Sequence, residues 1–490
     1  MKPICLDISA GAAILCRLAA PGALLLLSAC ATVGPDYSEQ PVAAPTEWHR
    51  LDRTTGTSTS SVPIDLAAWW TRFGDPVLSE LIARAVDAGT DLRAAQARLR
   101  EVRARRELAG ANAAATVSAT GRATTGRSSQ ESGTGRTIDV YRAGLDASWE
   151  ADLYGARRRA IEAADADIET SMANLHATQV ALVAEVALAY VDMRAYQMRL
   201  DVARRNLEAQ IEIAQLTDWR AQAGLVSALE VEQVRTTLEQ TRAQIPALTS
   251  LLAQVQDSLA TLLALSTGAL PAAVFETRSM PTAPARVAVS IPADVLRQRP
   301  DVRAAERRFA AETARIGQTA AARYPDLTLS GSIGLEALTF GALGASSAVA
   351  HSIVAGVSGI LFDGGRVARQ VEIQEAVRDQ SAIAYEKVIL IALQEVESAL
   401  AAVQYTQSRR KILDDAVIAA RNAATYAAQR YRSGIVDFQA VLDTQRSLLS
   451  VEDARASSQA DETAAVVRLY KALGGGWTPA DAPPLQDVTS

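Results

Sequence analysis

Cys30 stands where an apolar run stops, behind Leu24 to Leu27, Ser28 and Ala29 and ahead of Thr32, Gly34, Pro35 and Asp36. Lys2 and Arg17 supply positive charge upstream, residues 18–29 are small and apolar, and Ser28-Ala29 offers the small side chains a signal peptidase requires. The run is shorter than the roughly 20 apolar residues that cross a bilayer core, so the expectation is an export leader over 1–29 that is cut away. Cleavage after Ala29 would leave the Cys30 thiol at the new N-terminus. Cys5 and Cys16 leave with the leader, and with Cys30 modified the mature chain holds neither thiol nor disulfide. His49, His176 and His351 share no metal-ligand spacing with one another or with cysteine. No nucleophile with its base and no phosphate loop appears, so the reading contains no catalytic residue, no metal and no cofactor.

Leu27-Ser28-Ala29-Cys30 resembles a bacterial lipobox, whose cysteine receives lipid and becomes the mature N-terminus. Ala31 and Thr32 follow and no Asp stands behind the cysteine, so the resemblance implies onward passage to the outer membrane, with outer-membrane lipid around Cys30. Aromatic residues make up only 5% of the chain, whereas alanine is abundant throughout. Small side chains let helices approach closely, which favours helix-on-helix packing over a thick core. The net charge of −6 becomes −7 when Lys2, Asp7 and Arg17 leave, and nothing in it suggests a nucleic-acid partner. The run Arg157-Arg158-Arg159 reads as a solvated or headgroup-facing cluster.

The elements that must carry these residues come in two copies. DLRAA at 91–95 returns as DVRAA at 301–305, Gly121 as Gly331, Gly155 as Gly365, Arg220 as Arg430 and AGLV at 223–226 as SGIV at 433–436, every pair at the one offset given by 301 − 91. Each copy reads helix, strand, strand, very long helix, return helix. Tyr141, Ala143, Leu145, Ala147 and Trp149 alternate with polar or small residues, as do Leu327, Leu329, Ile333 and Leu335. Weaker strands are expected near 115–124 and 351–362. Strands of about ten residues with one apolar face suit an outer-membrane barrel, and alternation alone suits a half-buried soluble sheet equally. Four strands cannot close a barrel, since about eight are the fewest seen, and an open sheet in lipid leaves its edges unpaired. A membrane reading therefore requires several chains to share one barrel.

Residues 156–223 and 366–433 contain no Gly or Pro and are bounded by Gly155, Gly224, Gly365 and Gly434. Helices of that length run roughly 100 Å. Ile161, Ile168, Leu175 and Leu182 recur every seven residues, as do Val186, Met193 and Leu200, the spacing of a coiled-coil seam. Return helices are expected over 225–267 and 435–473, the first kinked at Pro246. Residues 49–63 and the tail from Gly474 read as flexible linkers.

VGPDY at 33–37, AAWWTRFGDPVLSELIARAV at 67–86, SWEADLYGARRRA at 148–160, IPADVLRQRPDVRAAERR at 291–308, LFDGGR at 361–366 and YRSGIVDFQAVLDTQRSLL at 431–449 together resemble the TolC-type outer-membrane efflux factors, in particular the NodT-like lipoproteins. The resemblance covers nearly the whole mature chain. The fold class expected is mainly α with a small β part: a duplicated unit of long helical hairpins plus four strands, forming a trimeric β-barrel continued by a periplasmic α-helical barrel. The resemblance implies a homotrimer, a periplasmic adaptor, an inner-membrane RND-type pump, and a passive exit duct for drugs or other small molecules. A type I secretion duct and a non-pore periplasmic coiled-coil lipoprotein are the alternatives.

By the same resemblance Asp443, with Arg446 and Asp437 beside it, belongs to a periplasmic gate, and Gln439 and Tyr431 are weaker candidates there. On residues alone, Asp443 and Arg446 form an exposed i,i+3 helix pair worth about 0.2–0.5 kcal/mol. Gly224, Leu225, Val226, Ser227, Gly434, Ile435 and Val436 end the outgoing helices, and the resemblance makes them adaptor-contacting tips. The expected division is leader 1–29, lipidated linker 30–66, repeats over 67–275 and 276–477, and tail 478–490. Ala115 stands where the second repeat has Pro325, so a looser first junction is expected.

Overall fold

A computed structural model describes residues 32–39, 44–50, 57–59, 66–276, 278–284 and 287–478. Residues 1–29 and Cys30 lie outside them, as does the tail beyond Thr478. In chain order the elements are β1 (Thr57–Thr59), α1 (Pro76–Ala88), α2 (Thr90–Ala111), β2 (Thr116–Arg127), β3 (Thr137–Ala151), α3 (Ala156–Gln222), α4 (Ala228–Leu262), the single turn α5 (Ala272–Phe275), β4 (Val287–Val289), α6 (Pro292–Gln298), α7 (Pro300–Ala321), β5 (Asp326–Ala337), β6 (Val349–Ser358), α8 (Arg366–Arg432) and α9 (Phe438–Ala472). The pairs α2 and α7, β2 and β5, α3 and α8, and α4 and α9 begin and end at the same offset that relates the two halves of the sequence. The duplication in the sequence is therefore a duplication of structure, residue for residue. Both first strands open at the same point of their repeat, so the exchange of Ala115 for Pro325 does not move the junction.

The chain forms two compact units, one from 1–40, 99–171 and 305–385, the other from 41–98, 172–304 and 386–490. In the first, the strands make one antiparallel sheet in the order β2-β3-β5-β6. Thr116 opposes Ser148, Leu145 opposes Ile333, and Asp326 opposes Ser358. Period-two alternation gives the sheet an apolar face carrying Leu145, Trp149, Leu329, Ile333, Ile353 and Val357, and these side chains are exposed. The strands run longer than expected at 116–127 and 137–151, while the fourth ends at Ser358 and leaves Leu361 and Phe362 beyond it.

The second unit is packed by helices. Five of the seven heptad positions, Leu175, Leu182, Val186, Met193 and Leu200, are buried. Trp69 stacks on Tyr470 with ring centroids 5.3 Å apart, and Phe73 meets both edge-on. In α6 and the first turn of α7, the block at 291–308 works as a clamp. Arg299, buried, donates to the Ala472 carbonyl at the end of α9 (2.8 Å) and pairs with Asp301 and Glu395.

Two expectations are corrected here. Residues 49–63 include a strand, since Thr57–Thr59 pairs parallel with Val287–Val289. Residues 474–477, just after α9, are docked: the Gly476 N–H donates to the Leu66 carbonyl (2.9 Å), and Trp477 stacks on His176 at 4.3 Å. Turn-forming composition is a local signal, and it is blind to a distant backbone that satisfies these groups. The helix α4 continues through Pro246.

Candidate functional site

Three places carry the residues singled out by sequence: the sheet, the helix tips and the arm that follows Cys30. On the polar face of the sheet, Arg122 lies opposite Arg142, which pairs with Glu336 on β5. The Thr120 hydroxyl donates to Asp146 at 2.7 Å. Charged and hydroxyl groups on one face with exposed leucine, isoleucine and tryptophan on the other suit a wall between water and hydrocarbon.

At the tips the two repeats use one construction. Gly224 and Gly434 take φ of 72° and 73°, the left-handed region that a Cβ disfavours. The N–H groups of Leu225 and Ile435 donate back to the carbonyls of Arg220 and Arg430 (both 2.9 Å), and those of Gly224 and Gly434 to Ala221 and Tyr431. This is the Schellman closure of a helix. Ser227 and Asp437 then cap the return helices, accepting from the N–H of Glu230 (3.3 Å) and Ala440 (3.2 Å). Three residues between glycine and α4 or α9 suffice for the reversal, so the return helices start at 228 and 438 rather than at 225 and 435. Leu225 and Ile435 are exposed at the two turns, while Val226 and Val436 are half-buried.

The gate candidates fall nearby. Asp443 is exposed and accepts from Gln439 Nε2, one turn earlier, at 2.9 Å. Arg446 donates instead to the Thr237 hydroxyl on α4 (3.0 Å), so the i,i+3 pair with Asp443 does not form. A long guanidinium finds a tertiary acceptor that i,i+3 spacing cannot foresee. Asp437 spends its carboxylate on the helix cap. Tyr431 packs in a core cluster with Val234, Phe438, Val441 and Leu442, and the Arg220 guanidinium lies 4.3 Å from its ring centroid. Arg220 also donates to the Tyr431 carbonyl at 3.2 Å, placing a cation at the C-terminal end of α8. Sequence reading did not single out Arg220 for a role.

The arm at 32–39 is strapped down within the strand-bearing unit. The Val33 N–H donates to the Tyr154 carbonyl at 3.1 Å. The Arg159 guanidinium, 4% exposed, reaches the carbonyls of Val33 and Gly34, Asp36 (2.6 Å) and Glu162 (2.8 Å). Gly317 admits the arm, because a Cβ there would stand 2.5 Å from the Val33 oxygen. Tyr37 donates to Glu306 (2.8 Å) and meets Phe309 edge-on, and burial with the Glu306 carboxylate pushes its hydroxyl well above the usual tyrosine range. The expected solvated cluster is thus a set of ties: Arg157 to Glu150, Arg158 to Asp152, and Arg159 to the arm. Cations at a helix N-terminus oppose its dipole, and that misfit was the signal for acidic partners elsewhere.

Two segments of the chain, 81–265 and 291–475, match the family of outer membrane efflux proteins. The chain belongs to that family. This efflux protein is 34% identical to the pyoverdine export outer membrane protein OpmQ of Pseudomonas putida, over 94% of this chain and 97% of the relative. It is 30% identical to nodulation protein T of Rhizobium leguminosarum bv. viciae, over 94% of each. The solved outer-membrane channel OprN matches it with a TM-score of 0.86 and 35% identity, covering 91% of this chain and 99% of that one. The CmeC outer membrane channel of Campylobacter jejuni, 18% identical, shares the fold at a TM-score of 0.83, over 91% and 95% of the two chains. The efflux protein is accordingly an outer-membrane channel and not an enzyme.

Proposed function

We propose that the channel works as a homotrimer in which three four-stranded sheets close one barrel, and that it forms the exit duct of a tripartite pump with a periplasmic adaptor and an inner-membrane RND-type transporter. The observation that carries this reading is the sheet, whose apolar face is exposed and whose order leaves β2 and β6 as edges. Unpaired strand edges are not tolerated in hydrocarbon, and four strands are too few to close alone. The cargo is a class of small organic molecules, as in relatives named for pyoverdine export and toluene efflux. Cys30 carries lipid, Asp443 with Arg446 and Asp437 belongs to the periplasmic gate, and the turns at 224–227 and 434–436 meet the adaptor. The leader at 1–29, linker at 30–66, repeats at 67–275 and 276–477 and tail at 478–490 complete the scheme. The test is the mass of the purified protein in mild detergent. Three mature chains, separating on heating, are expected; a monodisperse monomer overturns the shared barrel.

A further inference from the structure

We propose that the seam between neighbouring copies has one register, in which β6 of one chain pairs antiparallel with β2 of the next so that Ile353 faces Thr125, Val354 faces Thr124, Ala355 faces Ala123 and Val357 faces Gly121. This deepens the trimeric reading and rests on it. Within the chain, Gly121 opposes Ala143, and at the equivalent place in the second repeat Gly331 opposes Ile353. Thr116 with Ser148 becomes Asp326 with Ser358 in the same way. β5 is therefore the counterpart of β2 and β6 that of β3, with no slip in either hairpin. The two hairpins meet where β3 pairs with β5, with Ala143 opposite Leu335, Gly144 opposite Gly334, Leu145 opposite Ile333 and Ala147 opposite Gly331.

The edges left over are the counterparts of that pair: β6 stands for β3, and β2 stands for β5. An edge and its complement on one chain make a heterologous contact, which builds a ring of copies when its rotation closes. Replacing each β3 residue by its counterpart on β6, and each β5 residue by its counterpart on β2, turns Ala143–Leu335 into Ile353–Thr125 and Ala147–Gly331 into Val357–Gly121. The faces agree with the result. Ile353 and Val357, 83% and 74% exposed, continue the apolar face, and Gly121 and Ala123 lie on that same face of β2. On the polar face Gly356 comes opposite Arg122, leaving room for the guanidinium. A slip of one residue would turn β6 over and put Ile353 among the charges, so the competing registers are shifts of two.

Cysteine pairs read the register directly. Neighbouring cross-strand pairs alternate between Cα separations of about 4.5 and 5.5 Å, both within disulfide reach, so two adjacent pairs cover both kinds. The double variants Thr125→Cys with Ile353→Cys and Thr124→Cys with Val354→Cys are purified in mild detergent, oxidised and run without reductant. Linked dimer and trimer are expected from at least one of them and from none of the single-cysteine variants. The shifted pairs, Ile353→Cys with Ala123→Cys or with Arg127→Cys, are expected to stay unlinked. An oligomer in which a shifted pair links, or in which neither predicted pair does, overturns the register while the trimer stands. A wild-type protein of monomeric mass overturns both.

Discussion

Arg159 does what a surface cluster does not: it gathers two backbone carbonyls and two carboxylates of the same unit around one buried guanidinium. Arg159→Ala leaves those acceptors short of a donor, at a cost of about 1–3 kcal/mol. The expected outcome is a lower melting temperature together with early protease cleavage ahead of Arg159. Arg159→Lys should rescue little, because a point charge cannot reproduce the fork. Tyr190 is a second such residue. Its hydroxyl donates to Asp75 (2.8 Å) and accepts from Arg194 (2.8 Å), and burial is the main cause that pushes it up to about 12. The folded protein therefore holds this proton more tightly than the unfolded chain, whose tyrosines ionise near 10. Stability from this group is whole below pH of about 10 and falls as pH climbs towards about 12. Tyr190→Phe should flatten that alkaline slope in thermal melts and lower stability at neutral pH.

Among the elements, the hairpin tips join two helices with a Schellman closure, a three-residue reversal and a side-chain cap. Gly224→Ala or Gly434→Ala forces a Cβ into the left-handed region, at about 1–2 kcal/mol. Arg220 ties α3 to the end of α8 through Tyr431, so Arg220→Ala should loosen the tip and raise single-channel conductance in planar bilayers. Asp443, exposed and bonded only within its own helix among the described residues, is free to face other copies. Asp443→Ala should raise conductance and weaken block by polyvalent cations such as hexamminecobalt added from the periplasmic side. Unchanged conductance and unchanged block remove Asp443 from the gate and leave the channel intact.

For the whole molecule, the proposed lipid anchor at Cys30 would add to the sheet in membrane retention. On the proposed lipidation, Cys30→Ser removes acyl chains worth about 0.8 kcal/mol for each buried CH₂, while the proposed barrel is expected to insert without them. The expected result is loss of fatty-acid labelling with partial release from the membrane fraction. A wild type that takes up no labelled fatty acid ends the lipoprotein reading without touching the channel.

Sequence alone determined the repeat, the strand faces and the lengths of the long helices, because each rests on periodicity or on local breakers such as Gly155, Gly224, Gly365 and Gly434. It also marked both tips, since a glycine three residues ahead of Ser227 or Asp437 is a complete local instruction for a stop and a restart. The tertiary structure decided what those elements hold. Arg446 turns from Asp443 to Thr237, Arg159 strips the arm of its freedom, Arg299 grips the end of α9, and residues 57–59 become a strand. Each of these joins groups that lie far from one another along the chain, and no local rule specifies such a pairing. Arginine in particular reaches far enough that its partner is chosen by whichever backbone or carboxylate the fold brings near.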